Sequence, residues 1–304
     1  MRTFLVFDWG GTFLKYALMN EEAEIIEKGK VPSPLKTDNL EHFLSVINEV
    51  VQNYRDQIEG IAISSCGIMD SEKGIIHTVG AFPYLDEYPL KKELEDHYFL
   101  PVSIENDGKS AALAELWKGN LRGIKDGAVV LLGTGIGGGI ILDGKLRRGK
   151  DFFAGEFSSM CIDLHKPRNS DSYFAALGVT GLINKVIGFM NLDHECDGEE
   201  AFTYINEDDE NALEALREYT DDLAMALFNL NIMLDLEKIC IGGGISTQPK
   251  LMEFLKESIR KIPSYHPDMV QGMKLPLPEV DVCYFHNDAN LIGALYHHLY
   301  ENRK

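Results

Sequence analysis

The chain carries the same pattern twice: an apolar strand, a glycine turn, a second strand, a polar turn and a third strand. The first copy runs TFLVFD, WGGT, FLKYALM, NEEAE and IIEKGKV, and the second runs AVVLLG, TGIGG, GIIL, the hairpin turn Asp143-Gly144 and KLRRG. Short apolar runs separated by Gly, Asn and Asp read as strands joined by tight turns. Each copy then passes into helices alternating with strands. After the first come the amphipathic stretch LEHFLSVINEVVQNY, the strand IEGIAISSCGIMD ending near Gly67, and the strand PVSIEN leading into the Ala-rich helix KSAALAELWKG. After the second come helical stretches around 172 to 190 and 211 to 234, the strand KICIGGG, the helix PKLMEFLKESIRK, the strand VDVCYF and the final helix DANLIGALYHHLY. With 304 residues to distribute, this duplication predicts two α/β domains whose glycine turns face a cleft.

The Gly-rich stretch LLGTGIGGGIILDGKLRRG overlaps two nucleotide motifs and satisfies neither. Gly133, Gly135 and Gly138 spell GxGxxG, but a dinucleotide fingerprint needs a helix next, and a β-hairpin follows. Gly139 to Lys145 spell GxxxxGK, yet Leu146 stands where a Ser or Thr should hold magnesium, and the inner residues IILD read as a strand. What remains is a glycine turn between antiparallel strands, where missing Cβ atoms let backbone amides approach an anion. DWGGT occupies the same place in the first copy. Each turn alone has a plain alternative as a tight hairpin; together, in equivalent places, they suit a polyphosphate held from two sides, with Asp8 holding magnesium through water.

Charge narrows the partners. A formal net charge of −19 repels nucleic-acid backbones and anionic lipid, so neither is an expected partner. It also requires any phosphate site to rely on backbone N–H groups and a metal ion. No apolar run reaches membrane-spanning length, and the N-terminal strand meets Asp8 too early for a signal-peptide core, so a cytoplasmic chain is expected. The cysteines Cys66, Cys161, Cys196, Cys240 and Cys283 form no CxxC or CxC pair, which argues against a disulfide framework and a cysteine-rich zinc site.

DWGGTFLKYALM, IENDGKSAALAE, LLGTGIGGGIILDGKLRRG, FAGEF and CIGGGIS, in this order and spacing, resemble the ROK family of sugar kinases and sugar-responsive repressors. The resemblance spans almost the whole chain. It implies the actin-like ATPase (ribonuclease H-like) fold, with two α/β domains closing over ATP and sugar. The corresponding boundaries are 1–117 plus 287–304 for the N-terminal domain and 118–286 for the C-terminal domain. By the resemblance Gly10, Gly11, Thr12 and Lys15 belong to the first phosphate hairpin and Thr134 and Gly135 to the second, while Gly243 and Gly244 lie beside the α-phosphate and adenosine. A homodimer is expected on the same ground.

Transfer of a phosphoryl group from ATP to a sugar hydroxyl asks for positioning, neutralisation by Mg²⁺ and one base. Asp107, at a strand end before a helix, is the candidate base, a role the resemblance also gives it; its plain alternative is an ordinary helix N-cap. Asn106 offers a donor and an acceptor to sugar hydroxyls, or is a turn residue. Glu156, in FFAGEF, is a lone carboxylate among apolar neighbours that the resemblance assigns to sugar, or an exposed loop residue. Gly67 and the segment from Gly80 to Leu85 resemble further sugar-contacting loops.

Members of the family that follow GE with a Gly-His pair and a CxCGxxGC segment hold structural zinc. Here the sequence is GEFSSMCIDLHKPRNSDSYF, so Ser159 replaces that His, Cys161 alone remains, and His165 reads as an ordinary loop histidine. No structural zinc is expected, and the smaller Ser159 leaves room at the anomeric end of a sugar. Two rivals share the fold besides a different actin-like phosphotransferase acting on a carboxylate, whose chemistry needs no base equivalent to Asp107. A repressor of this family carries an N-terminal helix-turn-helix, for which a chain entering its first strand at once is expected to have no room. The other is a sugar-binding regulator with weak catalysis, against which the retention of Asp8, both glycine turns and Asp107 argues.

Overall fold

The computed structural model describes residues 1–265 and 274–301. Residues 302–304 of the expected N-terminal domain and 266–273 of the expected C-terminal domain lie outside the described residues. The chain divides into two compact units: Met1–Gly119 with Leu146–Ala154 and Asn287–Lys304, and Asn120–Lys145 with Gly155–His286.

In the first unit β1 (Thr3–Trp9), β2 (Phe13–Asn20) and β3 (Ile25–Pro32) form an antiparallel meander. Parallel to β1 lie β4 (Ile61–Ser65) and β7 (Val102–Asn106), giving the sheet order β3-β2-β1-β4-β7. Nearly every residue of β1, β4 and β7 is buried, as expected of parallel strands covered on both faces. Between β4 and β7 come the hairpin β5 (Ile68–Asp70) and β6 (Ile75–Thr78), then α2 (Leu90–Tyr98). Helix α1 (Leu40–Tyr54) precedes β4, starts at the Asn39 cap, and buries the stripe Phe43, Ile47, Val50, Val51 and Tyr54. Phe43 packs edge-on against Trp9 at 5.0 Å and beside Phe82 at 5.2 Å, joining the helix to the end of β1.

Helix α3 (Asp107–Lys118) is buried continuously from Gly108 to Glu115. Its alanines are explained by its neighbour, the helix Ala289–Tyr296. There a Cβ on Gly293 would lie 1.7 Å from the Ser110 carbonyl, so only small residues permit this approach.

The second unit repeats the scheme. β8 (Gly127–Leu132) pairs antiparallel with β9 (Ile136–Leu142) and parallel with β11 (Lys238–Gly242), itself parallel to β12 (Val280–Val282). With β10 (Lys145–Arg147) the order is β10-β9-β8-β11-β12, the counterpart of the first sheet. Helices α4 (Val179–Met190), α5 (Gly198–Asn206), α6 (Glu210–Leu234) and α7 (Pro249–Lys261) accompany it; Ala289–Tyr296 of the first unit is α8. No helix of the described residues is long and apolar enough to cross a membrane.

Several elements differ from the sequence expectation. The helical stretch around 172 to 190 begins only at Val179, because Gly178 is extended and packed against the Thr134 carbonyl, and Val179 N donates to Gly133 O at 2.8 Å. The preceding residues form short 3-10 turns. VDVCYF shortens to β12, and the final helix widens at His297 into a π turn reaching Glu301. The hairpin β5–β6 and helices α2 and α5 carried no sequence expectation.

Candidate active site

In parallel α/β sheets, ligands bind at the carboxyl ends of the strands, and in the first unit that edge is charged. Register sets Lys15, Asp8, Ser64 and Glu105 side by side across β2, β1, β4 and β7. The next row holds Trp9, Ser65 and Asn106. Asp8 is 5% exposed; its Oδ2 lies 3.3 Å from Lys15 Nζ, and its Oδ1 accepts from Asn290 Nδ2 at 3.0 Å. A carboxylate oxygen has two lone pairs, so each can still accept a hydrogen bond from a metal-bound water, and oxygen donors suit Mg²⁺. Ser64 Oγ, fully buried in the same row, has no hydrogen-bond partner.

Asn106, not Asp107, caps α3: its Oδ1 accepts from Lys109 N at 3.0 Å. Its Nδ2 donates to Gly67 O at 3.0 Å. Asp107 is the first residue inside the helix, where its Oδ1 accepts from the adjacent Gly108 N at 2.8 Å. The capping reading of Asp107 is thus replaced, since the residue before it already satisfies the helix end. Gly67 has φ of +100°, and a Cβ there would lie 2.3 Å from Thr78 O; the turn itself requires glycine. Cys66 next to it is pushed up to about 12 by burial, with the Asp107 and Asp8 carboxylates adding to the rise. Both acids therefore bear on one thiol at the strand ends.

At the β1–β2 turn, Gly10 N donates to Phe13 O at 3.1 Å, and Gly11 and Thr12 are exposed. A Cβ would stand 3.3 Å from Phe13 O at Gly10 and 3.8 Å from Ala81 Cβ at Gly11. The fold does not demand glycine at Gly11, which leaves bare backbone there for a ligand to approach.

Glu105, which sequence reasoning missed, is 1% exposed and receives Arg148 Nε at 2.8 Å. Arg148 also pairs with Glu301, whose Oε2 lies 3.2 Å from His297 Nδ1. Burial would raise Glu301, but the His297 contact and the Arg148 charge outweigh it and hold the carboxyl near about 2. Glu105, His297 and Glu301 offer oxygen and nitrogen atoms close enough to share one cation; the guanidinium already meets all of them. The π turn brings His297 and Glu301 to it, a placement invisible in the sequence.

The second unit gathers Thr134, Gly135, Glu156 and Ser159 around a residue not singled out from the sequence, Ser158. Its Oγ accepts from Ile136 N at 2.9 Å and donates to Ile136 O at 3.0 Å. This ties the 3-10 turn Phe157–Ser159 to the start of β9, and a Cβ on Gly135 would stand 3.0 Å from that hydroxyl. Glu156 is half-buried at the head of this turn, and Ser159 N donates to its carbonyl at 3.1 Å, leaving Ser159 exposed. Thr134 is the exposed tip between β8 and β9. Gly243 has φ of +93° and lies so close to Leu132 that a Cβ would meet its carbonyl at 2.2 Å, whereas Gly244 faces open space. Cys161 Sγ donates to Asp163 O at 3.5 Å, and the exposed His165 donates its N–H to Asp163 Oδ1 at 2.9 Å.

The ROK family's sequence profile matches residues 5–299. The beta-glucoside kinase of Listeria innocua is 31% identical over 302 residues, covering 98% of each chain. A ROK family protein from Streptococcus pneumoniae, solved in complex with sucrose, superposes with a TM-score of 0.86 at 28% identity and 99% coverage of both chains. A ROK family glucokinase from Streptomyces griseus, solved in complex with glucose and AMPPNP, superposes with a TM-score of 0.76 at 25% identity, over 96% of this chain and 98% of that one. The chain belongs to the ROK family, and its two like-ordered sheets are those of the actin-like ATPase fold.

Proposed function

We propose that this chain transfers the γ-phosphoryl group of ATP to the 6-hydroxyl of a hexose or hexoside, with Asp107 as general base. The coarser statement, that it is an ATP-dependent sugar kinase, follows from its full-length similarity to named sugar kinases. One observation supports the finer reading: Asn106, not Asp107, is the N-cap of α3, and Asp107 follows directly after the carboxyl end of β7 as the first residue of the helix. An Oδ atom of Asp107 takes the proton as the sugar oxygen attacks. Asn106 spends one N–H on Gly67 and one lone pair on Lys109 N, keeping a second N–H and a second lone pair for a sugar hydroxyl. Glu156 accepts from further hydroxyls, and Gly67 shapes the loop beside them. Gly10, Gly11, Thr12, Lys15, Thr134 and Gly135 present backbone and side-chain donors to the phosphates, with Gly243 and Gly244 beside the nucleoside. Mg²⁺ held through water by Asp8 would neutralise the phosphate charge.

With Ser159 exposed and small, the sugar site accepts a substituent on the anomeric carbon, which favours a β-glucoside. We take the enzyme to act as a homodimer in the cytoplasm, readings supported by family membership. The test is ADP release with Mg²⁺-ATP across free hexoses, N-acetylhexosamines and β-glucosides, with the phosphorylated position read by NMR. Turnover of a β-glucoside at its 6-hydroxyl is expected. Activity on free hexose with none on any glycoside overturns the open-pocket reading. A sugar that shifts the melting temperature without any turnover makes the protein a sugar-binding regulator.

A further inference from the structure

Glu105 is the residue of β7 just before Asn106, and its side chain is buried. A buried charge is weak evidence of a stabilising device, because well-packed apolar side chains often hold a core as well as an ion pair does. Another use is visible in how the two carboxylate oxygens divide. Arg148 takes Oε2, donating from Nε at 2.8 Å with Nη2 2.6 Å from the same atom. Oε1 accepts from the backbone N–H of Asn106 at 2.8 Å. The guanidinium also meets His297 and Glu301, so it is itself held from the π turn.

The Asn106 amide lies where the chain leaves the strand and turns into α3. Asn106 is still extended, at φ −63° and ψ 146°, and Asp107 begins the helix. The Asn106 side chain is fixed as well, accepting from Lys109 N and donating to Gly67 O, each at 3.0 Å. Glu105 therefore holds the main chain of the residue whose side chain the cap and the Gly67 turn hold. The candidate base follows across one peptide bond. Misplacing a reacting group by about 1 Å can cost about 10² in rate, so a bond that fixes this turn bears on the reaction without touching substrate.

We propose that Glu105 and Arg148 are positioning residues for the phosphoryl transfer. Arg148 orients the Glu105 carboxylate, and the carboxylate sets the strand-to-helix turn that presents Asn106 and Asp107. Their effect on rate, though not on the turn itself, rests on the proposed role of Asp107.

The test compares Glu105→Gln with Glu301→Gln in the full chain, reading steady-state ADP release, the melting temperature and hydrogen exchange at the Asn106 amide. A carboxamide offers an oxygen to one of the two partners of Glu105 and an N–H to the other, so one contact is lost at nearly constant volume. Glu105→Gln is expected to exchange faster at Asn106 and to lower kcat about tenfold, with the KM for ATP changed by less than about twofold. Glu301→Gln disturbs the same cluster without touching Oε1, and is expected to lower the melting temperature while kcat of the folded protein stays unchanged. Arg148→Lys, which keeps a cation but replaces the planar fork with a point charge, carries the same expectation as Glu105→Gln and serves in its place if that variant does not fold. An unchanged kcat in the folded variant, an unchanged exchange rate at Asn106, or an equal loss of kcat in Glu301→Gln overturns the proposal. If Asp107 is not the base, Asp107→Asn keeps its kcat while Glu105→Gln still exchanges faster at Asn106, so the two failures are distinct.

Discussion

At the penultimate residue of its first strand, the first unit carries Asp8 and the second carries Leu131. The comparison extends along the whole row. Lys15, Asp8, Ser64 and Glu105 stand together in the first sheet, where the second has Gly137, Leu131 and Gly242. The strand order is the same in both, so backbone topology did not decide the chemistry. One copy keeps charge at its strand ends and the other keeps bare backbone. The residues of the proposed roles divide the same way: Asp8 and Asp107 belong to the first unit, Thr134, Gly135, Gly243 and Gly244 to the second.

If the division holds, the first unit should break on charge and the second on volume. The largest stability loss is expected from Arg148→Met, which strands Glu105 and Glu301 without their partner. Removing one side of such a buried cluster costs about 3–5 kcal/mol, read as an earlier urea transition; a loss below about 1 kcal/mol would show the cluster to be solvated. Next is Gly243→Ala, where a Cβ meets the Leu132 carbonyl at a positive φ and a cost of about 1–3 kcal/mol is expected. Gly244→Ala, in open space, should leave the melting temperature unchanged and instead raise the KM for ATP.

Acid should also separate the units. Against the burial that would raise it, the His297 and Arg148 contacts hold the Glu301 carboxyl at about 2 in the fold, below the ordinary value of 4.5. A depressed carboxyl contributes stability above its unfolded pKa and loses it as pH falls through its folded one. The gap in melting temperature between wild type and Glu301→Gln should therefore be full near neutrality and close between pH 4.5 and about 2. A gap that stays constant over that window would detach Glu301 from the cluster's stability. Among the substitutions expected to destabilise, the smallest loss is for Asn106→Ala, which removes a cap worth about 1 kcal/mol and should lower the melting temperature modestly, with any change in sugar KM read separately.

Much of this arrangement was legible in the chain itself. Helices α1 and α7 and the strands of both meanders follow from apolar spacing and turn residues, which act locally. Helices α2 and α5 escaped because their few apolar residues sit in strongly polar stretches such as LKKELEDHY. The start of α4 is set by a distant contact between Gly178 and the β8–β9 turn, which no local pattern announces. Among candidate site residues, the strand-end position of Asp107 was readable, but the cap fell on Asn106 because capping depends on where the first helical turn begins. Arg148, His297, Glu301 and Ser158 come together only through tertiary packing and a π turn.

The most direct test of Asp107 as the general base is steady-state ADP release by Asp107→Asn beside the wild type, with the melting temperature of both recorded. A folded variant of nearly unchanged stability is expected, with kcat lower by about 10² to 10⁴. A variant that keeps its kcat, or that loses activity only in proportion to lost stability, would contradict Asp107 as the base and return it to a structural role at the head of α3.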